Sequence, residues 1–204
     1  MAENVKHALV LIHTWGDNSE LLAMLKNNKH CVSIFHIMGR YSFLVDANFD
    51  NFEQIENWVN QLKALKLSSG VPAVIQMLTQ RVIDVHKTKS DFTLQEYFAM
   101  KDREHFFVQI DSPQEDESLI NSLKESSVVH SVLHVQGESS FTIEIIVDDY
   151  DEYRAFLKKI KKFHTINHIE TQEVIAVIKY RNQIFDDRGR LVYPAEDNRE
   201  LFSL

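Results

Sequence analysis

Cysteine occurs once in this chain, at Cys31, so no intrachain disulfide can form and an oxidising compartment gains no support. Three prolines and five glycines leave few breaks in the chain, and the glycines are too scattered to build a phosphate-cradling loop. Positive charge is scarce: 22 Lys and Arg against 30 Asp and Glu give a net charge of -8. Phosphate recognition needs clustered cations, so this balance argues against a nucleic-acid surface. The one basic run, Lys158 to Lys162, winds around a helix carrying Phe156, Leu157, Ile160 and Phe163, which makes it a solvated face. No apolar run approaches the roughly 18 residues of a membrane span. Met1-Ala2-Glu3-Asn4 is polar, and the short apolar run after it is broken by His13. These absences predict a soluble, cytoplasmic protein with neither membrane nor direct nucleic-acid contact.

What the chain has in abundance is itself. At an offset of 98 residues, Val10, Ile12, Leu21, Leu25, Lys26, Ser33, His36, Gly39, Ser42, Phe43 and Asp50 meet Val108, Ile110, Leu119, Leu123, Lys124, Ser131, His134, Gly137, Ser140, Phe141 and Asp148. His7 meets His105, and Lys63 meets Lys161. A gapless duplication predicts two units of similar size.

Each unit reads the same way. His7 to His13 alternates with period two, as does its copy from His105, so both are strands. Asp17-Asn18-Ser19-Glu20 precedes an apolar stripe of helical period at Leu21, Leu22, Met24 and Leu25, and Pro113-Gln114-Glu115-Asp116 does the same in the copy. Cys31 to Met38 alternates, Gly39-Arg40 turns the chain, and Tyr41 to Phe49 returns. A second helix spans Asn51 to about Lys66 on the stripe Phe52, Ile55, Trp58, Val59 and Leu62, and Tyr150, Tyr153, Phe156, Leu157 and Ile160 repeat it. Val71 to Val85 and Ile169 to Tyr180 close the units as long strands. The order β-α-β-β-α-β, twice, predicts an α+β protein of two ferredoxin-like repeats packed as an intrachain pseudo-dimer, like a dimeric α/β-barrel.

Alternation places Cys31, Phe35, Ile37, Phe43, Val45 and Ala47 against the helices, with Val129, Leu133, Val135, Phe141, Ile143 and Ile145 in the copy. The opposite, open face then carries Leu9, Leu11, Ile34, His36, Leu44 and Asp46, or Phe107, Gln109, Val132, His134, Thr142 and Glu144. A half-apolar face this broad predicts a covering sheet, which the other repeat supplies. The expected boundaries are 1–86 for the first repeat, 87–103 for a helical linker and 104–180 for the second repeat. Residues 181–204 form a C-terminal arm with a hairpin around Arg188-Gly189.

Val32 through Gly39-Arg40-Tyr41-Ser42-Phe43-Leu44-Val45, then Gly70-Val71, follows one family pattern. So does Val132 through Gly137-Glu138-Ser139-Ser140-Phe141, then His168-Ile169. Each unit thus resembles the effector-binding (RAM) domain of the leucine- and asparagine-responsive Lrp/AsnC regulators. Ser42 and Ser140 stand where that family has an aspartate, and Val74 and Gln172 stand at the start of its last strand. With the first strand expected to begin near residue 6, the family's N-terminal helix-turn-helix is not expected in this sequence. The resemblance implies a small-molecule effector, homo-oligomers and action through other regulatory proteins, without direct DNA binding.

The chemistry-bearing residues point less sharply. The hairpins place Gly39, Arg40, Tyr41 and Ser42 opposite in kind to Gly137, Glu138, Ser139 and Ser140, and an arginine there can clamp a carboxylate through two hydrogen bonds. His7, His36, His105 and His134 make a candidate polar site on the open face. The strand between them separates His7 from His36 by about 10 Å, too far for one tetrahedral zinc. Cys31 faces the helices as a buried thiol, Asp46 and Glu144 form a matched acidic pair, and no nucleophile triad assembles. Neither metal, cofactor nor catalytic group is expected. The favoured reading is an amino-acid or small-acid sensing module. The alternative is a dimeric α/β-barrel enzyme or a haem- or tetrapyrrole-binding protein.

Overall fold

A computed structural model of the chain describes residues 5–16, 18–88, 103–113, 116–186 and 190–192. The expected β-α-β-β-α-β order appears twice. The first repeat comprises β1 (Lys6–Thr14), α1 (Ser19–Asn27), β2 (Cys31–Met38), β3 (Phe43–Phe49), α2 (Phe52–Ala64) and β4 (Val74–Thr88). The second comprises β5 (Glu104–Asp111), α3 (Glu117–Glu125), β6 (Val129–Gln136), β7 (Phe141–Val147), α4 (Tyr150–Ile160) and β8 (His168–Tyr180). The fold class is α+β with two ferredoxin-like repeats. The linker helix expected over 87–103 lies mostly outside the described residues, as does the Arg188-Gly189 turn.

Helix starts follow the local chemistry. Asn51 accepts from the Gln54 backbone N–H at 2.9 Å while the Gln54 side chain accepts from Asp50 N at 3.1 Å. Asp149 and Glu152 repeat this reciprocal cap at α4, each bond 2.9 Å long. Each repeat has its own core. In the first, Ala8, Val10, Ile12, Leu21, Leu25, Ile55, Trp58 and Leu62 pack together; in the second, Phe106, Val108, Ile110, Leu119, Leu123, Tyr153, Phe156 and Ile160 do. Removing such side chains from water contributes on the order of 1.5–3 kcal/mol each.

The chain divides into two compact units whose limits do not coincide with the repeats. One contains residues 1–37, 41–78 and 175–204; the other contains 38–40 and 79–174. The long closing strands are therefore shared out: β4 leaves the first unit after Leu78, and β8 enters it at Ile175. With β9 (Gln183–Phe185) and β10 (Leu191–Val192), the strand order is β10-β9-β8-β2-β3-β1-β4-β6-β7-β5, and β8 also pairs with β5 through His168 to Glu173. Beyond β8, Arg181 and Asn182 both take positive φ, 48° and 67°, as a two-residue hairpin turn into β9 (Gln183–Phe185) requires. β9 then pairs with β10 (Leu191–Val192).

Two expectations need correction. The duplication is not gapless. After the second helix the offset falls from 98 to 92, which aligns Thr79-Gln80-Arg81-Val82-Ile83 with Thr171-Gln172-Glu173-Val174-Ile175 and Lys87 with Lys179. Gln172 is thus the counterpart of Gln80, not of Val74. The lysines confirm the shorter offset by doing the same work. Lys87 Nζ donates to Ser126 O at 2.7 Å at the end of α3. Lys179 Nζ donates to Lys26 O and Asn28 O at 3.3 and 3.2 Å at the end of α1. A cation there satisfies carbonyls that a helix C-terminus leaves without partners.

The second correction concerns which way β2 and β6 face. Their registers skip Val32 and His130: Cys31 pairs with Ala47 but Ser33 with Asp46, and Val129 pairs with Ile145 but Ser131 with Glu144. One extra residue in a strand reverses every side chain after it. Ile34 and Val132 therefore join the helix-side cores. Phe35 and Leu133, paired with Leu44 and Thr142, belong to the other face, as do Ile37 and Val135 two residues further on. His36 and His134, paired with Phe43 and Phe141, lie on the helix side and not on the open face.

Candidate functional site

The two hairpins are built alike. Ser42 N donates to Ile12 O at 2.8 Å and Ser140 N to Ile110 O at 2.9 Å. Their hydroxyls accept from Thr14 N and Ser112 N, both at 3.2 Å, and Ser140 also donates to the Ser112 carbonyl. Ser42 and Ser140 thereby fasten each hairpin to the end of its neighbouring strand. The glycines answer a different need. Gly39 has φ +154°, and a Cβ built there would lie 2.3 Å from Gln172 Oε1. Gly137 lacks that backbone demand, and its Cβ would meet Gln80 Cγ at 3.2 Å. The repeated glutamines thus cover the repeated glycines.

At the tips the copies diverge and meet. Arg40 Nη1 donates to Glu138 Oε2 at 3.2 Å, with both side chains about half exposed. The guanidinium therefore already holds a carboxylate. Tyr41 is buried, and so is Ser139, whose Oγ accepts from Gln80 Nε2 at 2.6 Å. Of the eight candidate hairpin residues, Arg40 and Glu138 are joined directly, Ser139 is tied to Gln80, and Ser42 and Ser140 support the backbone.

The histidines separate into two matched sets. His7 and His105 lie on the face away from the helices. Each bonds the repeat-matched acid: His7 Nε2 to Asp46 Oδ1 at 2.6 Å, and His105 Nε2 to Glu144 Oε1 at 3.0 Å. The registers Leu9↔Asp46 and Phe107↔Glu144 make these diagonal neighbours. The four residues share one offset and one face, which is the trace that the pairs leave in the sequence. His36 instead stacks on Phe43 at 5.1 Å, while His134 lies beside Phe141 at 5.4 Å and His86 at 5.9 Å. Burial holds His36 below its ordinary pKa; burial, then the His86 charge, does so for His134. Among the described residues no three His, Cys, Asp or Glu side chains converge as metal ligands would. Cys31 is fully buried and its thiol is pushed up to about 12 by that burial, so it is not a nucleophile.

Burial would lower His7, but the hydrogen bond and charge of Asp46 outweigh it and hold the imidazole above its ordinary value. A raised pKa stabilises the fold fully below the unfolded value, about 6.5, and that stabilisation is lost as pH rises through the folded value. Glu144 has the opposite sign. Burial raises it, yet the His105 bond and charge, the His130 charge and the Ser131 bond bring it below its ordinary value, so its contribution is lost only in acid. Asp46→Asn should therefore lower Tm more at about pH 5.5 than at about pH 8.5, measured by differential scanning calorimetry. An equal loss at both pH values would show that the pair is not ionic.

Residues 105–184 match the family model of the Lrp/AsnC ligand binding domain. No curated protein matches the chain. Among solved structures, the siroheme decarboxylase NirDL is similar over 87% of this chain and 74% of its own, with TM-score 0.64 and 9% identity. An anthrone oxidase-like protein covers 86% of this chain and 92% of its own, at TM-score 0.52 and 9% identity. A mutant chlorite dismutase from Candidatus Nitrospira defluvii in complex with cyanide covers 86% and 93%, at TM-score 0.51 and 8% identity. At these identities the likeness is one of fold. No helix among the described residues is long and apolar enough to cross a membrane.

Proposed function

We propose, from the premise that residues 105–184 match the Lrp/AsnC ligand binding domain, that this chain is a small-acid sensing and oligomerisation module. It acts on other regulatory proteins and performs no catalysis of its own. The observation that carries the reading is the Arg40–Glu138 pair between two matched hairpins. Glu138 occupies the guanidinium as the carboxylate of an amino acid or related small acid would, so ligand and side chain compete for one cation. Gly39 and Gly137, each covered by a glutamine, let the hairpins turn beneath the clamp, and Ser42 and Ser140 brace the hairpins that present it, with Tyr41 and Ser139 buried beside the tips. The copies differ at the tips, so one chain offers one clamp rather than two equivalent ones.

A thermal-shift screen of amino and organic acids tests this. A stabilising acid should lose its effect on Arg40→Ala. Glu138→Ala removes the competitor, and because an exposed ion pair contributes at most about 1 kcal/mol, affinity should rise about two- to five-fold. Equal stabilisation of wild type and Arg40→Ala would remove Arg40 from the site. Light scattering should give a mass above that of the 23.8 kDa chain, since oligomerisation is part of the reading.

The paired His7–Asp46 and His105–Glu144 favour a second reading, a haem or tetrapyrrole binder. A histidine held at one ring nitrogen by a carboxylate suits axial ligation, and NirDL and the chlorite dismutase share the fold. An absorbance spectrum after incubation with haem, in wild type and His105→Ala, separates the two readings.

A further inference from the structure

The repeats match in fold but not in the chemistry of the sheet face that points away from the helices. In the second repeat, Thr142 pairs with Gln109 and Gln109 with Glu170, while Phe107 pairs with both Glu144 and Gln172. All therefore share one face. Gln80 joins them, donating to Ser139 Oγ at 2.6 Å and accepting from Thr142 Oγ1 at 2.9 Å. The first repeat has Leu11 for Gln109, Leu44 for Thr142 and Leu78 for Glu170. An ordinary core has no use for this substitution. Gln80, Gln109, Thr142 and Gln172 are 0%, 4%, 1% and 0% exposed, and burying polar groups costs free energy unless each is paired.

Pairing is incomplete at two atoms. Gln172 Nε2 donates to Glu170 Oε1 at 2.8 Å, but Gln172 Oε1 has no donor and Gln109 Nε2 has no acceptor. One buried acceptor and one buried donor are left, on strand neighbours two residues out of register, roughly 7–8 Å apart at the backbone. The same face carries the carboxylates of Glu144 and Glu170, and its six polar residues named here include no lysine or arginine. The basic side chain on this face, His105, is already bonded to Glu144 at 3.0 Å, so an incoming anion would have to compete with that carboxylate.

We infer that this face of the second repeat is a binding site for a small primary carboxamide, whose carbonyl accepts from Gln109 Nε2 and whose N–H donates to Gln172 Oε1. A carboxamide provides both groups on one carbon and brings no charge against Glu144 and Glu170. Phe107, between those two strands, offers an apolar surface for the remainder of the ligand. The site adjoins the clamp hairpin, since Gln172 Oε1 lies against Gly39, but it takes an amide where the clamp takes an acid, and Arg40→Ala and Gln109→Leu test the two separately.

The test uses the full chain with nicotinamide and benzamide, against nicotinate and benzoate as the acids of identical skeleton. At about 10 mM the amides should raise Tm by about 2–4 °C and the acids should not raise it through this site. Gln109→Leu installs the first repeat's residue. It should raise the Tm of the unliganded protein, because it removes an unpaired donor, and it should abolish the amide shift. Gln172→Met is the second variant and should behave in the same way. A purely structural Gln109 would make Gln109→Leu less stable, which overturns the inference. So does the absence of an amide shift in wild type, or an amide shift that survives both variants.

Discussion

Phe141→Ala should destabilise the protein by about 3–5 kcal/mol and return His134 toward its ordinary pKa. Phe141 is fully buried in the second core, and its ring lies 5.4 Å from His134 and 6.1 Å from His86. Truncation removes the transfer free energy of an aromatic ring and leaves a cavity against neighbours that β7 holds in place. It also admits water to an imidazole that burial, and then the His86 charge, keep below its ordinary value. Urea denaturation measures the first effect and an NMR titration of the histidine ring measures the second. A loss under about 1 kcal/mol with an unmoved titration would mean that His134 does not sit on the helix-side core.

Residues 1–86 expressed alone should fail to form a stable monomer. In the whole chain the compact unit containing most of the first repeat also includes residues 175–204. On the side away from β3, the neighbour of β2 is β8, from the other end of the sequence, and Asn182 N donates to the Val32 carbonyl at 2.8 Å at the bulge. The fragment lacks that strand and the Lys179 bonds that close the end of α1. An exposed β2 edge recruits another chain or frays. Light scattering should report self-association, or circular dichroism a lack of cooperative unfolding. A folded monomer at high concentration would contradict the strand allocation.

The element order could be read directly because each element carries its own period: two for His7 to His13, nearly four for the Leu21 and Ile55 stripes. Gly39 and Gly137 marked the hairpins, and β3 does separate His7 from His36 as expected. The bulges at Val32 and His130 were not readable. Phe35 and Ile37 on one face are as buried as Ile34 on the other, so hydrophobicity alone has no alternation with which to report a reversed face. His36 and His134 changed sides for that reason.

The matched glutamines are legible in the sequence once the offset is allowed to change at the loop before the last strand, which differs in length between the repeats. The Thr-Gln-x-Val-Ile identity at 79–83 and 171–175 is a stronger signal than any single match in those strands. The acids opposite His7 and His105 were likewise in view, as separate pairs. Pairing them required the diagonal geometry of β1 with β3 and of β5 with β7, which the residue types alone do not specify. Arg40 meeting Glu138 depends on where the two hairpin tips lie, and no local pattern encodes that.

Hydrogen exchange measured by mass spectrometry, on the whole chain with and without an acid found to stabilise it, tests the sensing account most directly. Exchange should slow at 39–42 and 137–140, and Arg40→Ala should lose that protection. Protection confined to peptides remote from both hairpins, or unchanged by Arg40→Ala, would contradict it.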